Sequence, residues 1–114
     1  MRRDHQRLND ILEALDWIAK AISGRTEADF MADEMLCYAV AQKLTVIGEA
    51  VARLGPEIKA RYDSVLWPDI VGLRNILVHE YFGIHWPFVW QTAVDHAPIL
   101  RAQVAEILDA EFPG

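Results

Sequence analysis

The chain has 114 residues, of which 53% are hydrophobic and 25% charged. That is one domain, 1–114, at the usual size of roughly 100–200 residues, with apolar material enough for a core and no case for intrinsic disorder. Eleven basic residues against 17 acidic leave a net charge of −6, which excludes a protein that coats nucleic acid electrostatically but not an enzyme that meets RNA at one local basic site.

Arg2, Arg3 and Arg7 read as a short solvated basic end. Leu8, Ile11, Leu12, Leu15, Ile18, Ala19 and Ile22 then recur at three- and four-residue steps, the stripe of an amphipathic helix. Asp4 is its expected N-cap and Ser23-Gly24 its stop. Thr26-Glu27-Ala28-Asp29 resembles a capping box, and a second helix is expected from about Thr26 or Asp33 to Leu54, ended by Gly55-Pro56. Its centre is apolar on several sides, through Leu36, Val40, Leu44, Ile47 and Val51 among others, so it should be central. Gly48 inside it costs about 1 kcal/mol of propensity against Ala, which a close approach by a neighbouring helix would offset.

Pro56 opens a short helix through Tyr62, and Asp63-Ser64 reads as a turn. Pro68 opens the next helix, to about Glu80, with Asp69 in its first turn where the dipole favours negative charge. Gly83 breaks it. Trp86-Pro87 starts a last helical segment to about Ala110, which Pro98 must kink or divide. No stretch alternates as a strand would. The expected fold is all-α, an up-and-down helical bundle of about four main helices plus a short one.

No uninterrupted apolar run approaches the ~20 residues that cross a bilayer, and Met1-Arg2-Arg3-Asp4-His5 does not lead into a signal sequence, so no membrane role is expected. One cysteine, Cys37, makes no intramolecular disulfide and is expected to be inert core; the default compartment is a reducing cytoplasm. His79-Glu80 with His85 lacks the spacing of a helical zinc site, so neither a metal nor another cofactor is expected. Trp17, Trp67, Trp86 and Trp90 are dispersed and read as packing anchors, and His5 and His96 as surface or capping residues.

The informative segment runs from Trp67 to Tyr81. On a wheel of about 100° per residue with Arg74 at zero, Asn75 falls at about 100° and His79 at about 140°. Tyr81 falls at about −20°, if the helix lasts that long. Ile70, Leu73, Ile76 and Leu77 fill an arc of roughly 200° to 320°, the expected core face. Val71 and Val78, at about 60° and about 40°, lie between the polar groups, a mixture suited to a homodimer interface or a cleft. Histidine is the natural proton shuttle near neutral pH, and arginine braces a phosphate and the added charge of a pentacoordinate transition state. RNA brings its own nucleophile, the 2′-hydroxyl, so these side chains support phosphodiester cleavage without a metal. The bare Arg-x4-His spacing arises by chance about 0.3 times in such a chain and proves nothing alone.

Its surroundings are more specific. Arg74-Asn75-Ile76-Leu77-Val78-His79-Glu80-Tyr81 resembles the Arg-Asn-x3-His-x-Tyr signature of the HepT-like branch of the HEPN superfamily. The likeness extends to Asp10-Ile11-Leu12-Glu13-Ala14-Leu15, Ile47-Gly48-Glu49-Ala50, Trp67 to Leu73, Tyr81-Phe82-Gly83-Ile84, Val89-Trp90 and Pro98-Ile99-Leu100. His85-Trp86 departs from it, where an acidic residue is usual. The resemblance implies a HEPN-like helical-bundle homodimer that acts as a toxin, a metal-independent endoribonuclease cleaving mRNA or tRNA in a cleft shared by two protomers. It implies a small nucleotidyltransferase antitoxin as partner. Position by position, Arg74 and His79 become the catalytic pair, Asn75 a support and Tyr81 the tyrosine that receives AMP. The alternative is a non-catalytic helical scaffold that binds the nucleotidyltransferase.

Overall fold

In a computed structural model of the chain, which describes residues 2–114 apart from the side chains of Arg2 and Tyr81, the first apolar stripe winds into α1 (Arg2–Ile22). Leu8, Ile11, Leu15 and Ile18 are buried along it. The helix starts early enough to put Asp4 within its first turn, so Asp4 does not cap it. Its buried carboxylate instead accepts the Gly55 N–H at 3.0 Å, satisfying a donor at the start of a later helix whose N-cap glycine has no side chain to offer. Arg7 is likewise more than a solvated charge, because it donates to the Arg53 carbonyl at 2.8 Å.

Both candidate starts of the second helix are used, and the expected single helix is divided into α2 (Glu27–Ala32) and α3 (Glu34–Arg53). Thr26 Oγ1 accepts the Asp29 N–H at 3.1 Å while Asp29 accepts the Thr26 N–H at 3.0 Å, the reciprocal capping box. Asp33 then accepts the Leu36 N–H at 3.0 Å, so one residue ends the first helix and caps the second. By length and composition α3 could cross a membrane, but half of it is buried inside the bundle, between α1 and α5. Cys37 is buried there, with its thiol on the Phe30 carbonyl and its pKa raised chiefly by burial.

The short helix α4 (Pro56–Arg61) leads into α5 (Trp67–His79), which is followed by a 3-10 turn, Tyr81–Gly83. Trp67 is buried and donates from its indole N–H to the Tyr62 carbonyl at 3.0 Å. The last segment comprises α6 (Trp86–Gln91), a π-helical turn over Thr92–His96 and α7 (Ala97–Glu111). Pro98 accounts for the turn: it has no N–H for an α-helical bond and its ring crowds the carbonyl of Val94. Winding wider lets the Ala97 N–H reach the Thr92 carbonyl instead.

The described residues thus form four long helices and three of six residues, with no strand among them, the all-α bundle expected except that α2 and α6 are additional short helices. Trp86 meets Tyr38 edge-on at 4.9 Å and Trp90 tilts against Phe30 at 5.3 Å, which ties α6 to α2 and α3. Trp17 lies under the Lys43 ammonium at 5.2 Å. His5 is exposed and stacks on Phe112.

Candidate active site

The face that α5 turns inward is not the arc expected from its apolar residues. Trp67 and Leu77 are the buried residues of α5, Ile70 and Leu73 are half-buried, and Ile76 is 51% exposed. On the same wheel the inward face runs from roughly 260° at Leu73 through 300° at Leu77 to about 20° at Trp67, and Arg74 at zero lies within it. Ile76, at about 200°, lies outside it.

What draws Arg74 inward is Gly48 of α3. A Cβ at Gly48 would collide with the Arg74 Cβ and lie 2.9 Å from its Cγ and 3.3 Å from the Ile70 carbonyl. The bare backbone of the glycine is therefore a point of close approach by α5, and the aliphatic stem of Arg74 is the group that packs there. The next residue, Glu49, accepts from Arg74 Nη1 at 2.9 Å. Arg74 Nε is buried without a partner, whereas Nη2 makes no hydrogen bond among the described residues and is not one of their buried unpartnered atoms.

Asn75 and His79 point the other way. Both are exposed, and neither side chain makes a hydrogen bond among the described residues. Arg74 and His79 are separated by a rise of roughly 7.5 Å and about 140° of helix rotation, and no hydrogen bond joins them, nor does Asn75 orient the imidazole. The chain thus supplies a seated arginine and an outward-facing histidine on one helix without bringing the two together.

Because α5 ends at His79, Tyr81 belongs to the 3-10 turn and its expected place on the wheel beside Arg74 does not apply. Its side chain lies outside the described residues. The two valines also separate: Val71 packs partly against the core, and Val78 is 48% exposed. His85 is exposed just before α6 and makes no capping bond, while Trp86 packs inward. Among the described residues no three His, Cys, Asp or Glu side chains are grouped to hold a metal ion.

The residue missed by reasoning from sequence is Glu49. Its signal was a carboxylate directly after the lone glycine of the central apolar helix. Glu49 also lines a groove of about 720 Å³ between α1 and α3 whose other charged walls include Arg7, Asp10, Glu13 and Lys43. Acidic and basic side chains alternate there, so the groove is no anion-binding channel.

The described residues form an all-α bundle with a helix-seated arginine and, on the same helix, an exposed asparagine and histidine, residue types able to hold a phosphate and to move a proton. The chain belongs to the Ribonuclease HepT-like family, which it matches over residues 11–107. A relative in Caldanaerobacter subterraneus subsp. tengcongensis, named for an inferred RNase activity, is 35% identical over 97% of this chain and 99% of its own length. A Methanocaldococcus jannaschii relative named in the same way is 33% identical over 85% of this chain and 89% of its own. A Thermococcus cleftensis protein named Probable ribonuclease HepT is 29% identical over 94% of this chain and 98% of its own. No solved structure is significantly similar.

Proposed function

We propose that the chain is the toxin of a toxin–antitoxin pair, an endoribonuclease that cleaves RNA without a metal, with Arg74 and His79 as its catalytic side chains and Asn75 as their support. The observation that carries this reading is the arrangement on α5: a guanidinium seated and tethered through Nη1, its Nη2 making no hydrogen bond among the described residues, and an exposed histidine and asparagine whose side chains likewise make none among them. In the reaction the 2′-oxygen attacks phosphorus as its proton passes to a base. The bond to the 5′-oxygen breaks and that oxygen takes up a proton, leaving a 2′,3′-cyclic phosphate and a 5′-hydroxyl. His79 moves protons, and Arg74 braces the charge on the non-bridging oxygens.

Since Arg74 and His79 of one chain face apart, the working cleft is completed by a second copy, and the protein acts as a homodimer. Exposed Ile76, Val78 and Phe88 supply apolar contact area around it. A minimal nucleotidyltransferase is the antitoxin. It transfers AMP from ATP to the Tyr81 hydroxyl, which bonds to the α-phosphorus as pyrophosphate leaves, and the added anion keeps RNA from the cleft. The pair works in the cytoplasm.

The test is cleavage of RNA by the purified chain with EDTA present, wild type against Arg74→Ala and His79→Ala. Cyclic-phosphate ends from the wild type and losses of about 10²–10⁴-fold in His79→Ala are expected. Activity that EDTA abolishes and Mg²⁺ restores contradicts the metal-free route. No cleavage by the wild type leaves a non-catalytic scaffold. For the switch, incubation with the antitoxin and ATP should add AMP in the wild type and none in Tyr81→Phe, by intact mass.

A further inference from the structure

Two consecutive residues of α3 act on Arg74 in different ways. Gly48 leaves the space into which its Cβ and Cγ fit, and Glu49 accepts from Nη1 at 2.9 Å. One sets where the stem lies, and the other sets how the guanidinium is turned. Stability is a weak reason for the ion pair, because the Glu49 side chain is 43% exposed and solvated pairs contribute little. The seat even leaves the Arg74 Nε–H buried without an acceptor, an arrangement that opposes stability. What it does achieve is a guanidinium held at Nη1 whose Nη2 makes no hydrogen bond among the described residues.

We infer that Glu49 is the positioning residue of the candidate active site: it holds Arg74 through Nη1 so that Nη2 is presented to the phosphate. The inference deepens the reading of Arg74 given above and rests on it. An untethered arginine has many rotamers, and each encounter with substrate would have to select one; a tether makes that selection before RNA arrives. Glu49 touches no reacting atom, so its effect passes wholly through Arg74.

The experiment is a cycle of purified variants, Glu49→Ala, Glu49→Gln, Arg74→Ala and the double Glu49→Ala/Arg74→Ala, each assayed on a mixed-sequence single-stranded RNA with kcat and KM determined separately. Circular dichroism and melting temperature establish that each is folded. Glu49→Ala should lower kcat by about 10²-fold, the scale for displacing a catalytic group by an ångström, with a smaller change in KM. Glu49→Gln should retain more activity, because its amide oxygen still accepts from Nη1. The double variant should be no slower than Arg74→Ala alone. A Glu49→Ala that cleaves as fast as the wild type overturns the inference, and one that cleaves faster makes Glu49 a brake instead. Additive losses in the double variant overturn it as well, since Glu49 would then act elsewhere. Should Glu49→Ala not fold, Glu49→Gln and its double with Arg74→Ala decide by the same rule. Arg74→Ala at the wild-type rate is the separate failure of the active-site reading itself.

Discussion

Two glycines inside helices offer a paired test of the contact between α3 and α5. In a helix interior, glycine is less favourable than alanine by about 1 kcal/mol. At Gly72 nothing lies within 4 Å of where a Cβ would project, so Gly72→Ala should keep the whole gain and stabilise the protein by about 1 kcal/mol. At Gly48 the new methyl would meet the Arg74 Cβ, sit 2.9 Å from its Cγ and press on the Ile70 carbonyl at 3.3 Å. A backbone oxygen cannot swing aside as a side-chain tip does, so α5 itself must move. Overpacking of this kind costs about 1–3 kcal/mol, which after the propensity gain leaves Gly48→Ala less stable by about 0–2 kcal/mol. The two variants should therefore differ by about 1–3 kcal/mol, and at about 3–6 °C per kcal/mol for a chain of this size the separation is easily resolved. Thermal unfolding followed by circular dichroism, at one protein concentration for both, is the assay. A Gly48→Ala that melts at or above Gly72→Ala would refute the close approach, and with it the seat of Arg74.

Three further outcomes are expected. Asp4→Ala removes the buried acceptor of the Gly55 N–H and should cost about 1–3 kcal/mol, read as a lower denaturant midpoint at unchanged slope. The Asp29 pKa is lowered from 3.8, first by the Thr26 N–H and then by the Thr26 hydroxyl. That cap therefore stabilises above the ordinary carboxylate value and is lost as pH falls through the lower folded value, so the wild type's advantage over Asp29→Ala should shrink on going from about pH 6 to about pH 2 in denaturant titrations. Val78→Glu should dissociate the proposed dimer with its helical signal kept, and light scattering that finds the wild type a strict monomer at tens of micromolar, about −6 to −7 kcal/mol of association, would refute the shared cleft.

Much of the fold is legible where local chemistry decides it. The capping box at Thr26 and Asp29, the prolines that open α4, α5, α6 and α7, and the stripe of α1 all form as their residue types dictate. What local patterns leave open is choice between equal signals. Thr26 and Asp33 are both good helix starts, and the chain uses both, because a break at Asp33 lets Phe30 fold back to a fully buried position against Trp90. Asp4 looked like a cap for its own helix and caps another one 51 residues away, a pairing that no periodicity encodes. The disturbance at Pro98 is readable, but its resolution as a π-helical turn depends on keeping Ala93 and Ala97 both in the core.

The candidate site divides in the same way. Asn75 and His79 are where the wheel puts them, on an outward face. Arg74 is not, and the reason lies in a different helix. α5 carries apolar residues over most of its circumference, from Ile70 and Val71 through Leu73, Ile76, Leu77 and Val78, so its own periodicity fixes the inward direction only loosely. The partner selects it. Facing an ordinary side chain on α3, α5 would have to turn Arg74 outward and bury an aliphatic residue. Facing Gly48, it gains a close approach with the stem of Arg74 as the packing group, and it leaves Ile76 half in solvent to do so. Gly48 alone signals that some helix comes near, and Arg74 alone signals a phosphate. That the two signals are one place, with Glu49 beside it to turn the guanidinium, is information held only in the packing of α3 against α5.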